Sequence, residues 1–191
     1  LDTRNFEPDP TSGLLFQLTS ELAPTFLGSS DNYGRLATSF AAYGNVLEKN
    51  EQQITVAARA FYSWQFGDVP FYAMDTMAFN DTDQLGLGGF YSIRGYKQDR
   101  FVGPVTMLTN AEVRWYFKKF KVWNQRMKLG VAPFVDAGRA FDNVSDTTLR
   151  DWHIGGGMGL RLTWNLSTVI CFDYAVSSEG QLFYMNAGLP F

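Results

Sequence analysis

The sequence predicts an all-β protein, an antiparallel transmembrane β-barrel of about eight strands with one long extracellular loop. Three observations carry that expectation. Apolar and polar residues alternate with period two along most of the chain, and no segment keeps a convincing helical period. Aromatic residues are 16% of the 191 residues and charged residues only 18%, short of the roughly 25% charge usual in a soluble domain. Mean hydropathy is nevertheless −0.15, and no apolar run reaches the ~18 residues of a membrane-crossing helix. Strands with one lipid-facing side and one polar side give that combination.

In chain order, the first strand runs through Leu14, Phe16, Leu18 and Leu22, and the second through Leu36, Phe40 and Ala42. The third is sharper. Ile54, Val56, Ala58, Ala60, Tyr62, Trp64 and Phe66 oppose Thr55, Arg59, Ser63 and Gln65. In the fourth, Ala111, Val113, Trp115 and Phe117 oppose Asn110, Glu112 and Arg114. In the fifth, Val131, Val135 and Ala137 oppose Ala132, Phe134 and Asp136. The sixth sets Trp152, Ile154, Met158, Leu160, Leu162 and Trp164 against His153, Gly155, Gly157, Gly159, Arg161 and Thr163. The seventh sets Ile170, Phe172, Tyr174 and Val176 against Cys171, Asp173 and Ala175. In the last, Phe183, Met185, Ala187, Leu189 and Phe191 alternate with Tyr184, Asn186, Gly188 and Pro190. With no internal linker, residues 1–191 read as a single barrel domain.

The alternation has the polarity of a wall in lipid. Its apolar face is aliphatic in mid-strand and aromatic near the ends, at Tyr62 and Trp64, Trp115 and Phe117, Trp152 and Trp164, as interfacial girdles require. The other face is small and polar with scattered Arg, Asp and Glu, which suits a crowded interior. A soluble ligand-binding barrel, the competing reading, needs the aromatic faces to point inward. Connections alternate in length. One near Gly28 to Asn32 is followed by a short turn at Lys49 to Gln52, then a very long loop over about 67–104. A short turn at Lys121 to Gln125, a longer loop at Asp142 to Arg150 and a tight turn at Asn165 to Ser167 complete the series. Short turns on the periplasmic side place both ends of an even-stranded wall there.

Composition also excludes. A net charge of −3 argues against nucleic acid as a partner. The single cysteine, Cys171, forms no internal disulfide and reads as inward and inert. His153, the only histidine, has no nucleophile–base or metal-ligand pattern around it and reads as a rim or interior polar residue. No metal, cofactor or enzymatic activity is expected. The opening Leu1-Asp2-Thr3-Arg4 carries no secretion signal, so an exported protein's signal is removed or lies outside this sequence. Lys118, Lys119 and Lys121 sit by a short turn, where they either meet anionic headgroups or are simply solvated.

Four motifs fall in order. Asp2-Thr3-Arg4-Asn5 with Pro10-Thr11-Ser12-Gly13 precedes the first strand, and Gly88-Gly89 leads into Ile93-Arg94-Gly95-Tyr96 in the long loop. Asn110-Ala111-Glu112-Val113-Arg114 and Phe134-Val135-Asp136-Ala137-Gly138 follow on successive strands, and an alternating strand ends in Phe191. Together they resemble the bacterial surface-antigen superfamily of outer-membrane assembly factors and translocators (BamA/TamA-like), specifically the C-terminal half of its barrel. The resemblance covers essentially the whole chain. It implies that Arg94 of the loop tetrad reaches into the barrel to pair with Asp136 and Glu112, packed by Phe134. The residues themselves agree in parity, since Glu112, Phe134 and Asp136 all fall on the inward face of their strands. The other arrangement pairs Asp136 with Arg114 or Arg161 and leaves the loop outside. Phe191 resembles the C-terminal assembly signal of such barrels.

Family barrels have sixteen strands and periplasmic POTRA domains, whereas this sequence shows about eight strands and no POTRA segment. Eight strands enclose an interior that side chains nearly fill. The inward Gly155, Gly157 and Gly159 therefore either admit a loop in a wider barrel or relieve crowding in a narrow one. The resemblance implies an outer-membrane protein that assists insertion or translocation of other outer-membrane polypeptides without covalent chemistry. Its partners are the bilayer, those polypeptides and, as one route to sixteen strands, a second copy of the chain. The alternative is a passive structural or small-pore barrel. Some members of the family are fused to a phospholipase, but no hydrolase motif is present here.

Overall fold

The computed structural model describes residues 1–74, 76–79, 82–165 and 167–191. In chain order the strands are β1 (Gly13–Ala23), β2 (Tyr33–Lys49), β3 (Gln52–Gly67), β4 (Thr76–Phe79), β5 (Thr82–Leu85), β6 (Val105–Val122), β7 (Gln125–Phe141), β8 (His153–Trp164), β9 (Thr168–Ser177) and β10 (Gly180–Ala187). Eight of them form one antiparallel sheet in the order β1-β2-β3-β6-β7-β8-β9-β10. The remaining two, β4 and β5, pair with each other inside the long loop and, among the described residues, with no other strand. A single helical turn, Phe71–Met74, also lies in that loop, where the sequence carries no helical period to announce it. The loop includes residues 75, 80 and 81, and the tight turn after β8 includes Leu166; these lie outside the described residues.

Burial follows the period-two pattern in the sense that lipid requires. Side chains of one parity are buried: Ala57, Arg59 and Phe61 on β3, Asn110, Glu112 and Arg114 on β6, Cys171, Asp173 and Ala175 on β9. Those of the other parity are apolar and exposed, among them Val113, Trp115, Ile154, Met158, Phe183 and Met185. A water-soluble barrel would hide the second set and hydrate the first. Five of the eight wall strands, β2, β3, β6, β7 and β8, exceed the about 9–11 residues that cross a membrane; β6 has 18 and β7 has 17. Each is interrupted or ended locally. A bulge falls between Tyr116 and Lys118, and Trp123 and Asn124, both at positive φ, close the β6–β7 hairpin in two residues.

The sheet curls but does not close. Side chains from β3, β6, β7, β8 and β9 meet in one interior, yet among the described residues β1 and β10 are not paired. Their lower ends face each other across a cavity of about 430 Å³, lined on one side by Gln17 and on the other by Thr168, Val169, Ala187 and Phe191. Backbone from the N-terminal segment covers part of the β1 edge. The Thr3 N–H donates to Leu14 O at 2.8 Å and the Phe16 N–H to Leu1 O at 2.8 Å.

Two sequence boundaries move. The alternation predicts a last strand running through Phe191, but β10 stops at Ala187, because Gly188 takes φ +106° and turns the chain inward. Trp152 lies just outside β8, its indole N–H donating to Thr148 O at 2.8 Å, so it caps the preceding loop instead of sharing the Ile154 face.

Candidate functional site

The long loop enters the concave side of the sheet and is tied there residue by residue. Its neck is a two-stranded bridge in which the backbones of Leu87 and Phe101 exchange hydrogen bonds at 2.8 and 3.0 Å. Beyond the neck the chain doubles back. The Ser92 hydroxyl accepts from Gly88 N–H and donates to Gly88 O, both at 2.8 Å. This turn presents the tetrad Ile93-Arg94-Gly95-Tyr96 to the wall. Ile93 and Tyr96 pack with Ala37, Phe61, Leu87 and Leu108 in one apolar cluster.

Arg94 is fully buried and uses its whole guanidinium. Nε and Nη2 grip both oxygens of Asp136 at 2.7 and 3.0 Å, and the Arg94 backbone N–H adds a third bond to Asp136 at 3.1 Å. Nη1 donates to Glu112 at 2.9 Å and to Asp173 at 2.8 Å. The Phe134 ring lies beneath, 3.4 Å from the guanidinium carbon, in cation–π geometry. Two wall arginines complete the charge. Arg161 pairs with Glu112 at 3.0 Å and with Asp173, and Arg114 with Glu112 at 3.1 Å. Three guanidiniums thus face three carboxylates, so the buried group is electrically balanced. A buried charge left alone is costly; here each carboxylate has at least one bidentate or bridging cation.

Glu112, Phe134 and Asp136 therefore converge on Arg94, and Asp136 pairs with neither Arg114 nor Arg161. Asp173 and Arg161 belong to the same cluster although no motif marks them. Their inward parity was legible, but parity gives the face of a strand and not the height along it. A further set anchors the loop backbone. Tyr184 accepts from Gly95 N–H at 3.0 Å and donates to Tyr96 O at 2.9 Å, while Ser177 donates to Gly95 O at 2.7 Å. On the opposite side Asn110 links Ser92 O, Asp136 and Arg59, and Arg59 reaches Tyr91 O at 2.5 Å. Gly155 lies directly against the Arg94 carbonyl, where a Cβ would meet the oxygen at 1.8 Å.

Phe191 is in the interior and not at a free strand end. After β10 the chain re-enters below the loop, with Gly188 N–H donating to Val169 O at 2.7 Å. The Phe191 carbonyl oxygen accepts from Arg114 at 2.7 Å, and its ring packs with Leu15, Ala41, Tyr43 and Ala57. Arg114 thus holds the loop cluster and the tail together. Arg114→Met is expected to free the tail. Loss of a charge-assisted bond costs about 1.5–3 kcal/mol, so carboxypeptidase release of Phe191 from the folded variant should quicken about tenfold. An unchanged rate would mean that apolar packing alone holds the tail.

The N-terminal motif has a structural part of its own. Arg4 donates to both oxygens of Asp2 at 2.7 and 3.0 Å, and these bonds hold the Asp2 carboxyl down at about 2. Asn5 closes the turn onto Thr11. The turn drops Asp9 into the lower mouth of the interior, where it accepts from Lys128 at 3.2 Å and Tyr116 at 3.3 Å.

The family model of the Omp85 superfamily domain matches residues 1–191. The chain belongs to the Omp85 superfamily. No curated protein matches the sequence. Omp85 proteins are outer-membrane proteins of the assembly and translocation superfamily, and they interact with other outer-membrane proteins and polypeptides. Within this Omp85 domain the loop–wall cluster is built of paired guanidiniums and carboxylates. Its chemistry is that of a clasp, bidentate and fully buried.

Proposed function

We propose that this chain works in the bacterial outer membrane as part of a barrel that assists insertion or translocation of other outer-membrane polypeptides, without covalent catalysis. The observation that carries the reading is a sheet left open at both ends around an interior occupied by a clasped loop. Backbone groups facing lipid must be hydrogen-bonded, and the edge of β10 and the upper edge of β1 have no partner among the described residues. Such an edge templates an incoming strand by β-augmentation. The clasp keeps the loop in place while the edges exchange partners.

The loop also bears on assembly state. Eight strands closed on themselves enclose an interior that side chains nearly fill, so closure works against the loop's position. A second copy joined edge to edge supplies sixteen strands and keeps both loops inside. Light scattering of the detergent complex, corrected for detergent mass, should then give a dimer; a closed monomer sinks this part. The activity itself is tested by folding a radiolabelled client barrel into liposomes with and without the protein. Faster client insertion is expected. If insertion is not accelerated, the passive structural barrel is the better description; the filled interior would then also predict near-zero conductance in planar bilayers.

A further inference from the structure

The hairpin of β6 and β7 projects beyond its neighbours. β3 last pairs with β6 at Gln53 opposite Tyr116, and β8 ends at Trp164 opposite Met127. Phe117 to Val122 therefore runs on without a strand beside it on the β3 side. The pairs along this ribbon are Lys119 opposite Lys128, Phe120 opposite Met127, Lys121 opposite Arg126 and Val122 opposite Gln125. Directly opposed residues share a face. Lys128 marks the inner one, because its ammonium reaches Asp9 and Gln53 at the mouth of the interior. Lys119, Lys121, Arg126 and Lys128 thus form two successive like-charge rungs on the axis-facing side, and Phe120, Met127 and Val122 take the lipid-facing side.

Like charges directly opposed destabilise a ribbon, and internal neutralisation stops at the first rung. Asp9 serves Lys128, and Glu48 lies 4.0 Å from Lys119. Lys121 and Arg126 have no ion-pair partner among the described residues, and both are exposed. The rungs are two residues apart, about 6.8 Å along an extended chain. That spacing matches carboxylates at alternate positions of another extended strand.

We infer that the inner face of this ribbon is a docking surface for an acidic, extended polypeptide segment with carboxylates at every second residue, held at the mouth of the interior. Bilayer headgroups fit the geometry less well. The ribbon meets lipid with its apolar side and with Trp123, which is 91% exposed, and of the cations only Lys118 shares that side. The inference rests on the ribbon's charges and register and does not require client insertion.

The test uses the full chain in nanodiscs of zwitterionic lipid. The probe is a peptide with Glu alternating with Thr, and the control is a peptide of equal charge with its Glu residues in one block. Titration should show tighter binding of the alternating peptide, weakened by salt. Lys121→Gln with Arg126→Gln should reduce that binding about tenfold or more, while Lys118→Gln leaves it unchanged. Because the two neutralised residues are exposed and mutually repelling, the double variant should fold and show a slightly higher unfolding midpoint. Equal binding of both peptides, or no loss in the double variant, overturns the proposal. A loss seen only for phosphatidylglycerol vesicles overturns it in favour of a headgroup site.

Discussion

Replacing Arg94 with alanine is expected to cost about 3–5 kcal/mol, the usual penalty for breaking a buried ion pair by removing one partner. The reason lies in the charge balance. Glu112, Asp136 and Asp173 would be left with Arg114 and Arg161 alone, one positive charge short, in an interior where all five are fully buried. Asp136 suffers most, because its three bonds to Arg94 leave only Asn110 behind. Urea unfolding in detergent, followed by tryptophan fluorescence, measures the loss. Arg94→Lys should recover only part of it, since an ammonium cannot span Asp136, Glu112 and Asp173 together. Adding Asp136→Asn to the alanine variant should restore stability relative to the sum of the single changes. A midpoint equal to that of the parent would show that the cluster is not what holds the loop.

The second large effect belongs to Gly155. Alanine there would put a methyl 1.8 Å from the Arg94 carbonyl oxygen, a backbone atom that no rotamer change can move. Overpacking of this kind costs about 1–3 kcal/mol, and the upper end applies because the loop is tied on both sides of the clash. The loop is expected to leave the interior, exposing the bonds after Phe90 and Tyr96, both buried in the parent, to chymotrypsin. Gly156→Ala is the control. It faces outward, and its nearest neighbour, Phe134 O, is 3.4 Å from the added carbon. Equal protease resistance of the two variants would contradict the close approach of loop and wall.

The eight strands of the wall were legible because lipid on one side and a polar interior on the other impose strict alternation. The ends of the long strands were not, because bulges break the period: one between Tyr116 and Lys118, another between Asn45 and Leu47. The strands of the short β4–β5 ribbon are four residues each, too short for a period to be read. The tail misled in the opposite direction. Leu189 and Phe191 keep the period of β10, but they keep it while packing inside, and Pro190, which has no N–H to give a ladder, was the signal against a strand. At the site, motif and parity pointed to Arg94, Glu112, Phe134 and Asp136. They could not distribute three cations over three anions, since that depends on stagger between strands, which register alone decides.

The clasp also sets an order of events in folding. Arg94 and Asp173 are 79 residues apart in the chain, and Tyr184 meets Gly95 across 89. Closing contacts so distant in sequence is slow, and none of them exists until β9 and β10 are laid against β8. Until then the loop is held from β2, β3, β6, β7 and β8, through Ala37, Phe61, Arg59, Glu112, Asp136 and Ile154, and Nη1 of Arg94 lacks one of its two acceptors. The wall is therefore wound around the loop as around a mandrel, and the last hairpin to arrive is the one that locks it.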